Sequence, residues 1–193
     1  MSTADQGASS PTAHLFNPLF AQPEGSPIRE LFPSLSRPGM LSLAGGYPSP
    51  SLFDAEGLQQ ATVAALQQDA ATSLQYGASE GQLALREALA ALCATRGIAC
   101  TPADMIVTTG SQQAFDLLVK VLVEPGDPVL VEVPAYPATL QTLKLAQAQV
   151  VAVPTDEQGL DTEALARLLA QWPHARRPKL LYTVPNFSNP GGT

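Results

Sequence analysis

The run Val107-Thr108-Thr109-Gly110-Ser111-Gln112-Gln113-Ala114 passes from β-forming residues through a glycine into helix formers. A helix that starts after such a turn presents free backbone N–H groups and the positive end of its dipole, which suits a phosphate. The same residues also make an ordinary capped helix, and they lack the glycines of a Walker loop or a dinucleotide fingerprint. Tyr136 follows the apolar run Val129 to Val133, in Pro134-Ala135-Tyr136-Pro137, where an aromatic ring can stack on a flat ligand or simply pack a loop. Asn189, in Asn189-Pro190-Gly191-Gly192, can cap a turn or donate from its amide to a ligand oxygen. Tyr76 sits between two helical segments, in Leu74-Gln75-Tyr76-Gly77.

Other chemistries find little support. His14 and His174 have no partner at metal-ligand spacing, so no metal site is expected. No Gly-x-Ser-x-Gly elbow and no supported carboxylate pair occurs. The three lysines are Lys120, Lys144 and Lys179. Cys93 and Cys100 are too few for a disulfide framework and read as reduced thiols of a cytoplasmic protein, with Cys93 on or beside an apolar helix face.

These residues need a scaffold, and the composition supplies one. The chain has 193 residues, 45% of them hydrophobic, enough for a globular core. Ten basic against 17 acidic residues leave a net charge of -7, which gives no attraction to nucleic acid or an anionic membrane. No apolar run approaches the roughly 18 residues of a membrane helix. No basic side chain precedes Arg29, so a signal peptide's charged start is lacking.

Residues 1–25 read as a mobile tail, 26–50 as an arm, and 51–193 as the main α/β region. Ser26 and Pro27 start a short helix to about Ser34. Asp54 caps a helix whose face is Leu58, Ala61, Thr62, Ala65 and Leu66. Ser79 and Gln82 stand in capping-box spacing before a helix with Leu85, Leu89 and Leu92, and Gly97 ends it. Strand and helix then alternate: Met105–Thr108, a helix over Ser111–Leu122, Val129–Val133, a helix over Thr139–Ala146, Val150–Val153, a helix capped by Asp161, and Leu180–Val184. Continuous Val/Leu strands between helices predict a mainly parallel sheet covered on both faces. The last strand ends in a loop at Thr193 with no helix after it, so a fragment is expected.

Taken in order, the stretches SPIREL, SLAGGYPSPSLF, LQYGASEGQLALREAL, TTGSQQAFDLL, VEVPAYPATLQTL and LLYTVPNFSNPGG resemble the fold type I aminotransferases that use pyridoxal phosphate. The resemblance is greatest to the kynurenine/α-aminoadipate branch and covers about the first half of a member. It implies a partial aminotransferase-type α/β fold, truncated after a strand. Residues 51–193 would form the first part of the large cofactor domain. It implies that Ser111 and Gln112 bind the cofactor phosphate, Tyr136 stacks on the pyridine ring and Asn189 bonds the phenolic oxygen. Tyr76 would reach the cofactor of the neighbouring subunit in a homodimer. Gly45 and Gly46 would lie beside the substrate carboxylate, and Arg29 near the substrate side chain. Members more often read Asn-Pro-Thr-Gly where this chain has Asn-Pro-Gly-Gly, which touches turn geometry more than the Asn189 contact.

The implied reaction moves an amino group from an L-amino acid (aminoadipate, aromatic or branched-chain) to a 2-oxo acid such as 2-oxoglutarate. The resemblance puts the Schiff-base lysine beyond Thr193, so no catalytic residue is expected within this chain, which should catalyse nothing alone. Two alternatives share the fold. One is the effector domain of a transcriptional regulator, against which stands the lack of a basic recognition helix before Ser26. The other is a lyase, since the first half of the fold says little about which bond breaks.

Overall fold

The computed structural model describes residues 12–20, 33, 37–40, 48–173 and 175–193. The short helix expected after Ser26 lies outside them. The chain divides into two units, residues 1–76 and 77–193.

In the first unit, helix α1 spans Ala55–Ser73. Asp54 caps it as expected, its Oδ1 accepting the Gly57 N–H at 2.8 Å. Asp69 breaks the helical geometry near its end with φ −154°. No residue of α1 is buried.

The second unit begins with helix α2, Leu83–Ala94. The expected capping box does not form. Gln82 is itself the N-cap and makes no side-chain cap bond, leaving Ser79 outside the helix. Arg86 braces this end instead, donating to the carbonyls of Gly81 and Pro102 at 3.2 and 2.5 Å. A capping box does form later, between Thr101 and Asp104 around the short 3-10 turn Pro102–Asp104. Gly97 ends α2 as predicted. Its φ of +74° permits the paired bonds Gly97 N–H to Ala94 O and Ile98 N–H to Cys93 O, at 3.1 and 3.0 Å. Cys93 is half-buried and not part of the core.

The run Met105–Thr108 is extended at Met105 but forms no strand. Among the described residues no strand lies beside it. Its recorded backbone tie is Val107 N–H to Glu80 O, 2.8 Å, and a β-prone segment without a ladder partner stays irregular.

Helix α3 spans Gly110–Leu122 and strand β1 Pro128–Val133. Helix α4 (Pro137–Leu145) and strand β2 (Gln149–Asp156) follow. The two-residue strand β3 (Gly159–Leu160), helix α5 (Thr162–Ala170) and strand β4 (Leu180–Tyr182) complete the unit. The sheet order is β3-β2-β1-β4. β1 pairs in parallel with β2 (Val129 opposite Val150) and with β4 (Val129 opposite Leu180). The mainly parallel sheet read from the sequence is therefore present. The antiparallel β3 was not expected. It folds back on β2 with Asp156 opposite Gly159, whose φ of +113° only glycine adopts without strain.

β1 is central and buried along nearly its whole length. Val129 and Val131 point to one face, where they pack with Val119 of α3 and Leu143 of α4. Phe115, Leu180 and Tyr182 extend this cluster. α5 is capped by Asp161, whose Oδ1 accepts the Ala164 N–H at 2.8 Å.

Asp127, just before β1, is buried with its carboxylate committed three ways. It accepts the Glu124 N–H at 3.0 Å and Arg176 Nη1 at 2.9 Å, and Lys179 Nζ lies 3.9 Å away. The Glu124 amide, then Arg176 and Lys179, outweigh burial and hold the carboxyl below its ordinary value of 3.8. A carboxyl whose folded pKa is depressed stabilises the fold above its unfolded value and loses that contribution as pH falls through the folded one. Asp127→Asn should therefore be less stable than the parent at neutral pH. The gap should close as pH falls below 3.8. Urea midpoints measured at pH 7 and pH 3 check this, and a gap unchanged by acid would refute it.

Among the described residues, no helix is long and apolar enough to cross a membrane, and no group of three or more potential ligands could hold a metal ion.

Candidate active site

Parallel pairing of β1 with β4 sends the chain out of both strands at the same edge of the sheet. Tyr136 lies three residues past the end of β1, and Asn189 seven past the end of β4. Two residues 53 positions apart in sequence are thus carried by loops that leave adjacent strand ends, where open α/β sheets place ligands. Asp127 and Lys179 precede the same two strands and so occupy the opposite edge.

Helix α3 brings a third component to the Tyr136 edge. The Phe115 ring meets that of Tyr182, the last residue of β4, edge-on with centroids 5.1 Å apart. Ser111 lies about one helical turn before Phe115. At the tip of α3 the N-cap, Thr109, makes no side-chain cap bond, its own N–H donates to Gln113 Oε1 at 2.5 Å and the Gly110 N–H to Thr108 O at 2.9 Å, while Ser111 and Gln112 are exposed. Ser111 lies inside the helix and does not cap it. Gly110 has φ +78°, and nothing stands within 4 Å of where its Cβ would be. The exposed Ser111 and Gln112 lie in the first turn, where backbone N–H groups have no partner within the helix and can receive an anion.

Tyr136 is the N-cap of α4, with Pro137 in the first turn. It follows a cis Val133-Pro134 bond, and its side chain is 40% exposed, leaving ring surface available for stacking. Asn189 is exposed and precedes a cis Pro190. The turn around it is closed by the main chain, with Gly192 N–H donating to Ser188 O at 2.5 Å and Ser188 N–H to Thr193 O at 2.9 Å. Among the described residues no partner takes the Asn189 amide, so the turn does not consume it.

Tyr76 ends the first unit and is 99% exposed. Arg29, Gly45 and Gly46 lie outside the described residues. Lys120 is held by Asp116 of the same helix at 2.5 Å, and Lys144 is in the last turn of α4.

One set of residues escaped the sequence reading. Glu132 is 1% exposed, in a strand otherwise built of Pro, Val and Leu. The Thr183 hydroxyl donates to its Oε2 at 2.6 Å and the Ser188 hydroxyl to its Oε1 at 3.0 Å. The signal was present: a single carboxylate inside an apolar β-run asks for partners.

The fold defines an α/β protein in which the exposed Tyr136 and Asn189 leave adjacent strands at one sheet edge, and α3 reaches that edge through Phe115 and Tyr182. The family described as aminotransferase class I and II matches residues 46–193, and the chain belongs to that family. It is 40% identical over 169 residues to the 2-aminoadipate transaminase of Thermus thermophilus, covering 88% of this chain and 40% of that protein. It is 38% identical over 171 residues to the aromatic-amino-acid aminotransferase 1 of Thermococcus litoralis, covering 88% of this chain and 41% of that one. The crystal structure of Pyrococcus horikoshii kynurenine aminotransferase, which contains PMP, aligns with a TM-score of 0.85 at 35% identity. That alignment covers 93% of this chain and 45% of the Pyrococcus chain. The family resemblance and the mainly parallel α/β fold expected from the sequence are both borne out. The chain spans less than half the length of these relatives.

Proposed function

We propose that the protein is a pyridoxal-phosphate-dependent aminotransferase acting on an L-amino acid (aminoadipate, aromatic or branched-chain) and a 2-oxo acid such as 2-oxoglutarate. The observation that carries this reading is the placement of Tyr136 and Asn189 at adjacent strand ends, on the sheet edge served by the uncapped tip of α3. The residues present fit the cofactor. The backbone N–H groups of Ser111 and Gln112 and the Ser111 hydroxyl would hold its phosphate. The Tyr136 ring would cover one face of the pyridine and exclude water from it. The Asn189 amide would donate to the phenolic oxygen and favour its ionised form. When bound, pyridoxal phosphate accepts the amino group and withdraws electrons from the substrate α-carbon.

Gly45 and Gly46 would admit the substrate carboxylate, and Arg29 would approach its side chain. The full exposure of Tyr76 supports a role across a subunit boundary, in a homodimer where it reaches the neighbour's cofactor phosphate. We place the protein in the cytoplasm, in keeping with its cysteine usage. None of the three lysines suits the Schiff-base role. Lys120 is paired with Asp116, Lys179 lies at the wrong edge of the sheet, and Lys144 sits at the far end of α4. The catalytic lysine would lie outside these 193 residues.

Two experiments test this. An amino-donor screen of the full protein with 2-oxoglutarate should show transamination of at least one of the named classes. Sequence-specific DNA binding without transamination would favour the regulator reading. Incubation of the 193-residue chain alone with pyridoxal phosphate and borohydride should leave no specific adduct. A stoichiometric adduct at one lysine, with activity, would refute the assignment of the lysine elsewhere.

A further inference from the structure

Glu132 sits on the central strand, nearly sealed from solvent. A carboxylate there is costly unless its oxygens are bonded. Both are: Thr183 supplies one hydroxyl and Ser188 the other, from 51 and 56 residues away in sequence. These two donors bracket the segment that leads out of β4 toward Asn189.

Ser188 is the hub of that segment. It is 6% exposed, its side chain reaches Glu132, its N–H donates to Thr193 O and its carbonyl accepts from Gly192. The residue before it, Phe187, has φ +54°, in the left-handed region that side chains disfavour, and is 89% exposed. Packing of its ring does not hold the strained backbone. The bonds that flank it are those of Thr183 and Ser188 to Glu132 and the main-chain bonds of Ser188 to Gly192 and Thr193. Asn189 is the next residue in the chain.

We propose that Glu132 is a positioning residue for Asn189: by gripping Thr183 and Ser188 it fixes the loop so that the Asn189 amide is presented at the strand ends. The inference rests on the assignment of Asn189 to the cofactor's phenolic oxygen made above.

The test uses the full protein loaded with pyridoxal phosphate and reads the pH midpoint of the bound cofactor's visible absorption. An amide donating to the phenolic oxygen lowers that midpoint, so its loss raises it. Asn189→Ala should raise the midpoint by about one pH unit. Glu132→Ala should move it in the same direction by at least about half as much. Glu132→Gln should fall between Glu132→Ala and the parent, because its amide can still accept from one hydroxyl and donate to the other. The double variant Thr183→Val/Ser188→Ala, made on Glu132→Gln so that no unpaired carboxylate stays buried, breaks the same two bonds by replacing the Thr183 hydroxyl with a methyl and deleting that of Ser188. It should match Glu132→Ala, and it serves in its place where Glu132→Ala does not fold. A role confined to stability would lower the melting temperature and leave the midpoint at its parental value. An unshifted midpoint in the double variant, with Asn189→Ala shifted, overturns the positioning role and leaves the site reading intact. An unshifted midpoint in Asn189→Ala overturns both.

Discussion

Ser111→Glu should weaken pyridoxal phosphate binding about a hundredfold while leaving the apoprotein as stable as before, or slightly more so. The two effects have opposite signs because they draw on the same field. Ser111 is the second residue of α3, where the helix dipole and uncapped N–H groups favour negative charge. A carboxylate there is worth about 0.3–1 kcal/mol to the helix. Under the proposed function the cofactor phosphate would use the same N–H groups and would meet a fixed negative charge, and a hundredfold loss corresponds to about 2.7 kcal/mol. Ser111→Ala, which removes one hydroxyl donor and adds no charge, should cost only about tenfold. Titration of the full apoprotein with pyridoxal phosphate, followed by its absorption, measures the affinity, and a thermal melt measures the stability. Equal affinities for the parent and Ser111→Glu would show that the phosphate sits elsewhere.

Leu143→Ala should cost roughly 2–5 kcal/mol of folding stability, the range for truncating a buried leucine. Leu143 is 0% exposed and belongs to the cluster of Val119, Val129 and Val131 that joins α3 and α4 to the central strand. The same cluster carries Phe115 and Tyr182, which bring the tip of α3 to the sheet edge of the site. Loss of packing here should therefore lower cofactor affinity as well as the urea midpoint. A stability change within about 0.5 kcal/mol, the range of an ordinary surface substitution, would show that the cluster does not hold the unit together.

How much of this was legible in the residues depends on the range of the interaction. Asp54, Asp161 and Gly97 act within one turn of their own helices, and each does what its type and spacing foretold. The alternation of Val/Leu runs with helices foretold the mainly parallel sheet, because a strand buried on both faces has no polar side. The six motifs foretold the family, and with it Ser111, Gln112, Tyr136 and Asn189 as the residues to examine.

Local pattern failed where a partner was needed. Ser79 and Gln82 have capping-box spacing, but the box never closes because Gln82 takes the cap position and Arg86 ties down the turn. Met105–Thr108 has β-forming residues, but no strand lies beside it among the described residues. The two-residue β3 was too short for periodicity to register, though Gly159 marked the reversal.

Sequence alone determined the family, the alternation of β1, β2 and β4 with helices and the helix ends set by Asp54, Gly97 and Asp161, all of which rest on contacts between near neighbours or on motif order. Tertiary structure alone decided that the loops of Tyr136 and Asn189 leave one edge, that the Asn189 amide is spared by its own turn, and that Glu132 reaches Thr183 and Ser188. It likewise decided that Asp127 meets Arg176, 49 residues away. Such pairings depend on which strands become neighbours and in what register, and that choice belongs to the packed sheet as a whole and not to any segment of it.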